Sequence, residues 1–388
     1  MIEMKKRDKI YINNGSNLIK MTLELLEMAN VKEELNPGIK IIIKPNLVVS
    51  EKAENGATTH VEIVEAIVIY LKENKIEDIT IAEGSWVGDG TSTIPAFKIG
   101  GYLSLAEKYG LKILDTKKDN VETVKFDNLN LNVCKSFLDA DFIINVPVLK
   151  GHCQTKITAC LKNIKGCIPD DEKRRYHRIG LSKPIAGINT VIKPSLHIVD
   201  GICGDLNYEC GGNPVEQNRI FLSKDPLLLD SYLSKLIGYN PEEIDYLNYG
   251  LKYELGKFHD KNSEIIELNS DNRIKTYENR NNTKKNNKHK PLAIEKLERF
   301  IDDNSSCSAC YSSLIFALDK LEASKIENIN EKIKIGQGFK KEAIVRTKVG
   351  GIGIGNCCIK FKKNITGCPP TGLDVLNFLK QILNNEKS

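Results

Sequence analysis

Residues 39–50 read IKIIIKPNLVVS, and this stretch decides the fold class. The apolar run Ile41–Ile43 has the continuous hydrophobicity of a strand buried on both faces. Pro45 cannot donate to a sheet ladder, so the strand ends at Lys44-Pro45-Asn46. Thr59 is placed to cap a helix from His60 to about Asn74, whose apolar positions Val61, Ile63, Val64, Ala66, Ile67, Ile69 and Leu71 make a broad buried face. Ile79–Ala82 is a second strand, ending at Glu83-Gly84-Ser85.

The alternation continues outward from there. Residues 101–110 read as helix, Leu111–Leu114 and Phe142–Val146 as strands, and Leu196–Val199 as a strand ending at Asp200. Asp225-Pro226 opens a helix, with Asp as the cap and Pro at the first position. Alternating strands and helices predict an α/β fold, a mostly parallel sheet covered by helices on both faces. Residues 270–291 break the pattern: Asn, Lys and Arg dominate and apolar residues nearly vanish. The expected organisation is an α/β domain over 1–268, a polar linker or mobile insertion over 269–294, and a smaller C-terminal α/β segment over 295–388. In that segment a helix is expected near 311–323, a strand at Ile333–Ile335, and a last helix from Leu373 to Leu383.

Length and composition suit a soluble globular protein. The 388 residues are 41% hydrophobic and 28% charged, with a formal charge of +5. Much of the positive excess sits in Lys284–Lys290, which reads as a solvated stretch. No basic–aromatic interleaving suited to stacking bases appears, so no nucleic-acid partner is expected. The first residues lack the apolar core of a signal peptide, and no apolar run reaches the ~18 residues of a membrane span. The expected location is the cytoplasm. Eleven cysteines in that reducing compartment point to metal or redox chemistry rather than disulfides.

Five of these cysteines lie in the C-terminal segment. Cys307 and Cys310 form a C-x2-C pair, followed by Cys357-Cys358 and by Cys368 with Pro369-Pro370 behind it. Four cysteines in one short segment, without a histidine after His289, favour one [4Fe–4S] cluster on Cys307, Cys310, Cys357 and Cys368. Structural zinc is the competing metal reading. Cys358 competes with Cys357, because adjacent residues point apart and only one of them serves the same metal. Glycines at 350, 351, 353 and 355 let the backbone approach a cluster closely. They lack the following helix that a dinucleotide fingerprint needs.

Polar residues gather at the predicted strand ends: Lys44 and Asn46, Glu83, Asn145 with Lys150 and His152, and Asp200. Ligands of open α/β sheets bind beyond the carboxyl ends of the strands. The stretch 148–181 adds Lys156, Lys162, Lys165, Arg174 and Arg175. A basic crevice of this kind suits a small anionic substrate. Lys44, Asn46, Glu83, Asn145, Lys162 and Asp200 are the expected substrate contacts, and Lys150, His152 and His177 the expected acid–base groups. Cys153, Cys160 and Cys167 recur every seven residues, and a second metal centre made from them with Cys203 or Cys210 stays open.

Several of these motifs resemble one family. Lys44-Pro45-Asn46, Thr58-Thr59-His60, Ala82-Glu83-Gly84, Asn145-Val146-Pro147-Val148-Leu149-Lys150, Lys162-Asn163-Ile164-Lys165-Gly166-Cys167 with Lys173 and His177, Val199-Asp200-Gly201 and Ser223-Lys224-Asp225-Pro226 with Asp230 are similar to motifs of the DUF362 family. The likeness spans about residues 8–255, and the cysteine tail is similar to the cluster-bearing tail of some members. The resemblance implies an α/β core and an iron–sulfur cluster without naming a substrate. The closely spaced ferredoxin-type cysteine run of other members is missing here. Two function classes follow. One is a redox enzyme fed by an external electron-donor protein, and the other an electron-carrier module without its own catalysis. Within the enzyme class, a cluster iron acting as Lewis acid, or sulfur transfer, is the variant.

Overall fold

The computed structural model describes residues 9–88, 90–268, 274–278, 289, 291–342 and 349–385. The chain divides into two compact units. The first comprises Met1–Gly151, Thr155–Lys173 and Ser182–Pro291, and the second His152–Gln154, Arg174–Leu181 and Leu292–Ser388. The smaller unit thus takes in two short pieces from the middle of the chain, which a division by sequence order does not show. The polar stretch after 268 lies largely outside the described residues.

The first unit is built on a nine-stranded sheet. Its strands are β1 (Lys9–Asn14), β2 (Ile41–Pro45), β3 (Ile79–Glu83), β4 (Lys112–Asp115), β7 (Phe142–Val146), β10 (Leu196–Asp205), β11 (Pro214–Ser223), β12 (Glu264–Leu268) and β13 (Ile274–Glu278). Their order is β13-β12-β1-β11-β10-β7-β2-β3-β4. The run from β10 through β7, β2 and β3 to β4 is parallel, while β11 pairs antiparallel with β1 and β10. Two ribbons lie apart from this sheet, β5 (Val121–Phe126) with β6 (Leu129–Cys134), and β8 (Lys150–His152) with β9 (Lys156–Thr158). The mixed α/β architecture matches the expected one.

Every residue of β2 and β7 is buried, which is why both read as unbroken apolar runs. The helix Val61–Glu73 covers the sheet with Ile63, Val64, Ile67 and Leu71, all fully enclosed with Ile43, Ile81, Ile144 and Leu196 in one core. Its cap differs from expectation. His60 takes the cap position, and the Thr59 hydroxyl instead donates to the Val146 carbonyl (2.7 Å) and accepts from the Asn46 N–H (2.8 Å). Thr59 therefore ties β2 to β7. β10 also runs past Asp200 to Asp205, because β11 pairs along its whole length with a bulge between Gly201 and Cys203.

The second unit holds a four-stranded parallel sheet, β14 (Ile301–Asp303), β15 (Ile333–Ile335), β16 (Val349–Ile354) and β17 (Phe361–Ile365), in sequence order. The helices Ser308–Lys320 and Gly372–Asn385 pack together. A side chain at Gly372 would lie 2.6 Å from the Phe316 ring, so glycine permits that close approach. Among the described residues no helix is long and apolar enough to cross a membrane.

Candidate functional site

In the first unit the chain runs outward from β2 through β3 to β4, then returns to place β7 on the other side of β2. The strand order reverses between β2 and β7, the position at which open α/β sheets form a crevice at their carboxyl ends. Lys44 and Asn145 are direct partners in that register.

A buried polar network fills the place. The Lys44 ammonium lies 2.7 Å from the Glu83 carboxylate, and both are closed off from water. Glu83 also accepts the N–H groups of Leu47 and Gly84. Asn163 donates to Asn145 (2.8 Å) and accepts from Asn46 (2.7 Å). Lys150 reaches the Asn46 side-chain oxygen (3.1 Å) and the Ala57 carbonyl (2.6 Å). The Lys165-Gly166-Cys167 segment closes over the ion pair. A Cβ at Gly166 would stand 1.9 Å from Glu83 Oε1 and 2.7 Å from Lys44 Nζ.

Of the predicted contact residues, Lys44, Asn46, Glu83 and Asn145 thus belong to one network whose groups largely satisfy one another. Lys150 and Lys162 keep more distinct electrostatics. Burial pushes the Lys150 ammonium down to about 8, against the pull of Cys210, Glu209, Glu83 and Asp205. Burial and repulsion from Lys165 hold Lys162 well below the usual lysine value, with Glu209 opposing. A lysine held near 8, as Lys150 is, exchanges protons close to neutral pH.

Asp200 sits elsewhere on the same sheet, bound to His60. Asp200 Oδ2 accepts both the His60 backbone N–H and its ring Nδ1–H at 2.8 Å. Burial opposes the His60 charge, but the Asp200 carboxylate outweighs it and raises the imidazole to about 11. His60, Asn163 and Asp230 were not among the expected site residues. Asp230 accepts the Cys160 and Leu161 N–H groups, and burial lifts its carboxyl to about 7.

His152 and His177 belong to the second unit. His152 is buried and its Nδ1 accepts from the Gln154 N–H at 3.0 Å, which leaves the ring proton on Nε2. His177 lies in the helix Asp170–Ile179.

The same unit collects the C-terminal cysteines. Cys307 caps the helix Ser308–Lys320 and Cys310 lies in its first turn, three residues on and so on one face. Asn356 N–H donates to the Gly367 carbonyl (2.9 Å), and Gly367 N–H donates to the Asn356 side chain (2.8 Å). This reciprocal pair sets the Cys357 and Cys368 loops side by side. Gly355 has φ +82°, and a Cβ there would lie 3.6 Å from Cys310 Sγ. Burial and the sulfurs of Cys307, Cys368, Cys357 and Cys358 push the Cys310 thiol well up. Burial and Cys368 raise Cys357, with Lys340 and Arg174 opposing. Cys358 faces inward, fully enclosed with Phe339 and Phe361. The Gln337 amide donates to Cys307 Sγ at 3.5 Å and to the Arg174 carbonyl at 3.2 Å, and it accepts from Arg178 at 3.2 Å.

Among the described residues, no three His, Cys, Asp or Glu side chains are gathered tightly enough to hold a metal ion. Cys160 and Cys167 are fully enclosed, with thiols pushed well up by burial.

A thylakoid-associated protein of Synechocystis sp. is 27% identical over 247 residues, covering 59% of this chain and 73% of that protein. Among solved structures, the lactate racemase apoprotein of Thermoanaerobacterium thermosaccharolyticum aligns with a TM-score of 0.41 at 13% identity, over 60% of this chain and 58% of that one. A Thermotoga maritima protein aligns with a TM-score of 0.38 at 12% identity, over 62% and 60%. The chain thus spans about three fifths of each of these two structures. The family described as domain of unknown function DUF362 matches residues 41–235, just over half of the chain and the stretch that carries the Lys44, Lys150 and Asp200 motifs, and the chain belongs to that family.

Proposed function

We propose that the chain is a cytoplasmic iron–sulfur protein that passes electrons to a small anionic substrate. Cys307, Cys310, Cys357 and Cys368 would hold one [4Fe–4S] cluster. The observation that carries this reading is the convergence of four cysteines from three separated segments around Cys310. The donor set fits the group. Burial and the neighbouring sulfurs push the Cys310 thiol up, and burial with Cys368 raises Cys357, a condition that iron would relieve by taking up the thiolate charge. A cubane carries its own sulfides and spaces its cysteines wider than a single zinc with ~2.3 Å bonds does. The all-cysteine donor set, with no histidine after His289, is the ground for preferring the cluster to mixed Cys/His zinc. Cys357 is the better ligand than Cys358, whose sulfur is taken up in the Phe339–Phe361 core.

When bound, the cluster supplies single-electron transfer. The protein's residues supply the rest. Lys150 and Lys162, with Lys165, attract the anion beyond β2 and β7, and Lys150 moves a proton near pH 8. His152 and His177 are further proton carriers. Cys368 is exposed, which suits an external donor protein docking beside the cluster. The same exposure also suits a carrier without its own substrate. Substituting Lys150 separates the two: an enzyme loses turnover with its cluster intact, whereas a carrier keeps its electron-transfer rate.

The deciding experiment is anaerobic purification with iron, sulfide and zinc counted per chain. About four irons and four sulfides are expected, and Cys368→Ser is expected to release iron whereas Cys358→Ser retains it. One zinc and no iron would overturn the reading. Three ligating cysteines in place of four would shift it to Lewis-acid chemistry.

A further inference from the structure

Asp200, His60 and Cys203 stand in line within the first unit. The His60 ring bonds Asp200 Oδ2 through Nδ1 at 2.8 Å, and its other nitrogen, Nε2, lies 3.8 Å from Cys203 Sγ. The β10 bulge explains how both partners reach one ring. In a regular strand, residues three apart face opposite sides. The extra residue between Gly201 and Cys203 cancels that alternation, and bulges serve to re-aim side chains in this way. The Asp200 carboxylate is itself fixed by the His60 and Ile202 N–H groups. Cys203 Sγ also contacts the Ala53 carbonyl at 3.6 Å. His60 and Cys203 are 8% and 7% exposed, whereas Cys134, Cys160 and Cys167 are wholly enclosed.

We propose that Cys203, His60 and Asp200 form a second reactive centre, in which the Cys203 thiol takes the acyl group of an activated ester or thioester. A thiol beside an imidazole whose far nitrogen is held by a carboxylate is the arrangement of nucleophilic acyl transfer. Asp200 stabilises the His60 imidazolium, which in turn stabilises a thiolate by donating from Nε2. The thiolate adds to the carbonyl carbon, forming the S–C bond. The leaving group departs with the electrons of its own bond and takes the Nε2 proton. Water then attacks the Cys203 thioester, giving up a proton to His60, and the carboxylic acid and thiolate are released. The sum is acyl–X plus water giving acid plus HX, with no oxidant or reductant.

This centre is independent of the iron–sulfur reading, since none of its residues is among the proposed cluster ligands. The test uses the full chain with p-nitrophenyl acetate as acyl donor and iodoacetamide as alkylating probe, each followed by peptide mapping. Cys153 is an internal control, because it is 6% exposed, as little as Cys203, and its sulfur contacts the Ser312 hydroxyl. Cys203 is expected to be alkylated at least about tenfold faster than Cys153. Acetyl is expected on Cys203, with a burst of about one p-nitrophenolate per chain that Cys203→Ala abolishes. His60→Gln is expected to slow acylation by on the order of 10². Equal alkylation of Cys203 and Cys153 in the unmodified sequence would overturn the proposal, and that comparison requires no variant to fold. Acetylation confined to other residues, or undiminished acylation in a folded His60→Gln chain, would also overturn it.

Discussion

The Lys44 ammonium and the Glu83 carboxylate form a fully enclosed ion pair at 2.7 Å, joining the carboxyl ends of β2 and β3. Removing one partner of such a pair strands the other charge away from water, at about 3–5 kcal/mol. Glu83→Gln is expected to cost more than Lys44→Met, since Glu83 also accepts the Leu47 and Gly84 N–H groups. The double variant Lys44→Met/Glu83→Gln is expected to recover part of the loss. Urea unfolding midpoints of the three variants measure the coupling. Additive losses would show that the pair is not coupled in the folded chain.

Much of this arrangement was legible from the chain itself. β2 and β7 are buried on both faces, so their apolar runs announce them, and Pro45 marks where Lys44 and Asn46 emerge. Local pattern fails where a long-range partner decides. Thr59 looks like a helix cap, but its hydroxyl is claimed by Val146 and Asn46. The apolar run of β10 ends before Asp200, yet pairing with β11 carries the strand five residues beyond that aspartate. His60 and Cys203 are 143 residues apart, and only the sheet order and a bulge bring them together. The signal that was available for His60 was its position at the start of a buried helix, beside two threonines. Nothing in the spacing of the chain groups His152–Gln154 and Arg174–Leu181 with the C-terminal segment.

The His60–Asp200 pair predicts a pH dependence of stability with a definite sign. Asp200 raises the folded-state imidazole from 6.5 to about 11. The stability that this charge contributes is therefore complete below the unfolded value and is lost as pH rises through the folded one. Within that window each pH unit removes up to about 1.4 kcal/mol. Comparing wild type with His60→Gln cancels the titration of other groups. The stability gap between the two is expected to be large at pH 6 and to shrink steadily towards pH 10. A gap that stays constant across the range would show that His60 folds uncharged.

Asn356 supplies a test of how the cysteine loops are held. Its backbone and side chain make a reciprocal pair with Gly367, and Cys357 and Cys368 each lie one residue beyond that pair. Asn356→Ala keeps the backbone half and loses the side-chain half. The folded unit is expected to survive, with a stability loss of about 1 kcal/mol. The protein as purified anaerobically is expected to lose iron faster to a chelator than wild type does. Unchanged iron release with a normal thermal transition would place the loops under other control.

Gln337 offers the sharpest check on the sulfur environment, because its amide donates to Cys307 Sγ while Arg174 and Arg178 fix its position. A hydrogen bond to a ligating sulfur draws off negative charge and favours the reduced cluster, so it raises the reduction potential. Gln337→Leu keeps similar bulk and removes the donor. The expected result is an unchanged iron count with a more negative midpoint potential, read by anaerobic titration followed by electron paramagnetic resonance. Gln337→Glu removes the same donor and adds a negative charge, so its potential is expected to fall further still. A potential that ignores both substitutions would mean that Cys307 is not a ligand or that Gln337 turns away once iron is bound. Cys307→Ser separates these outcomes, since it releases iron only if that sulfur holds it.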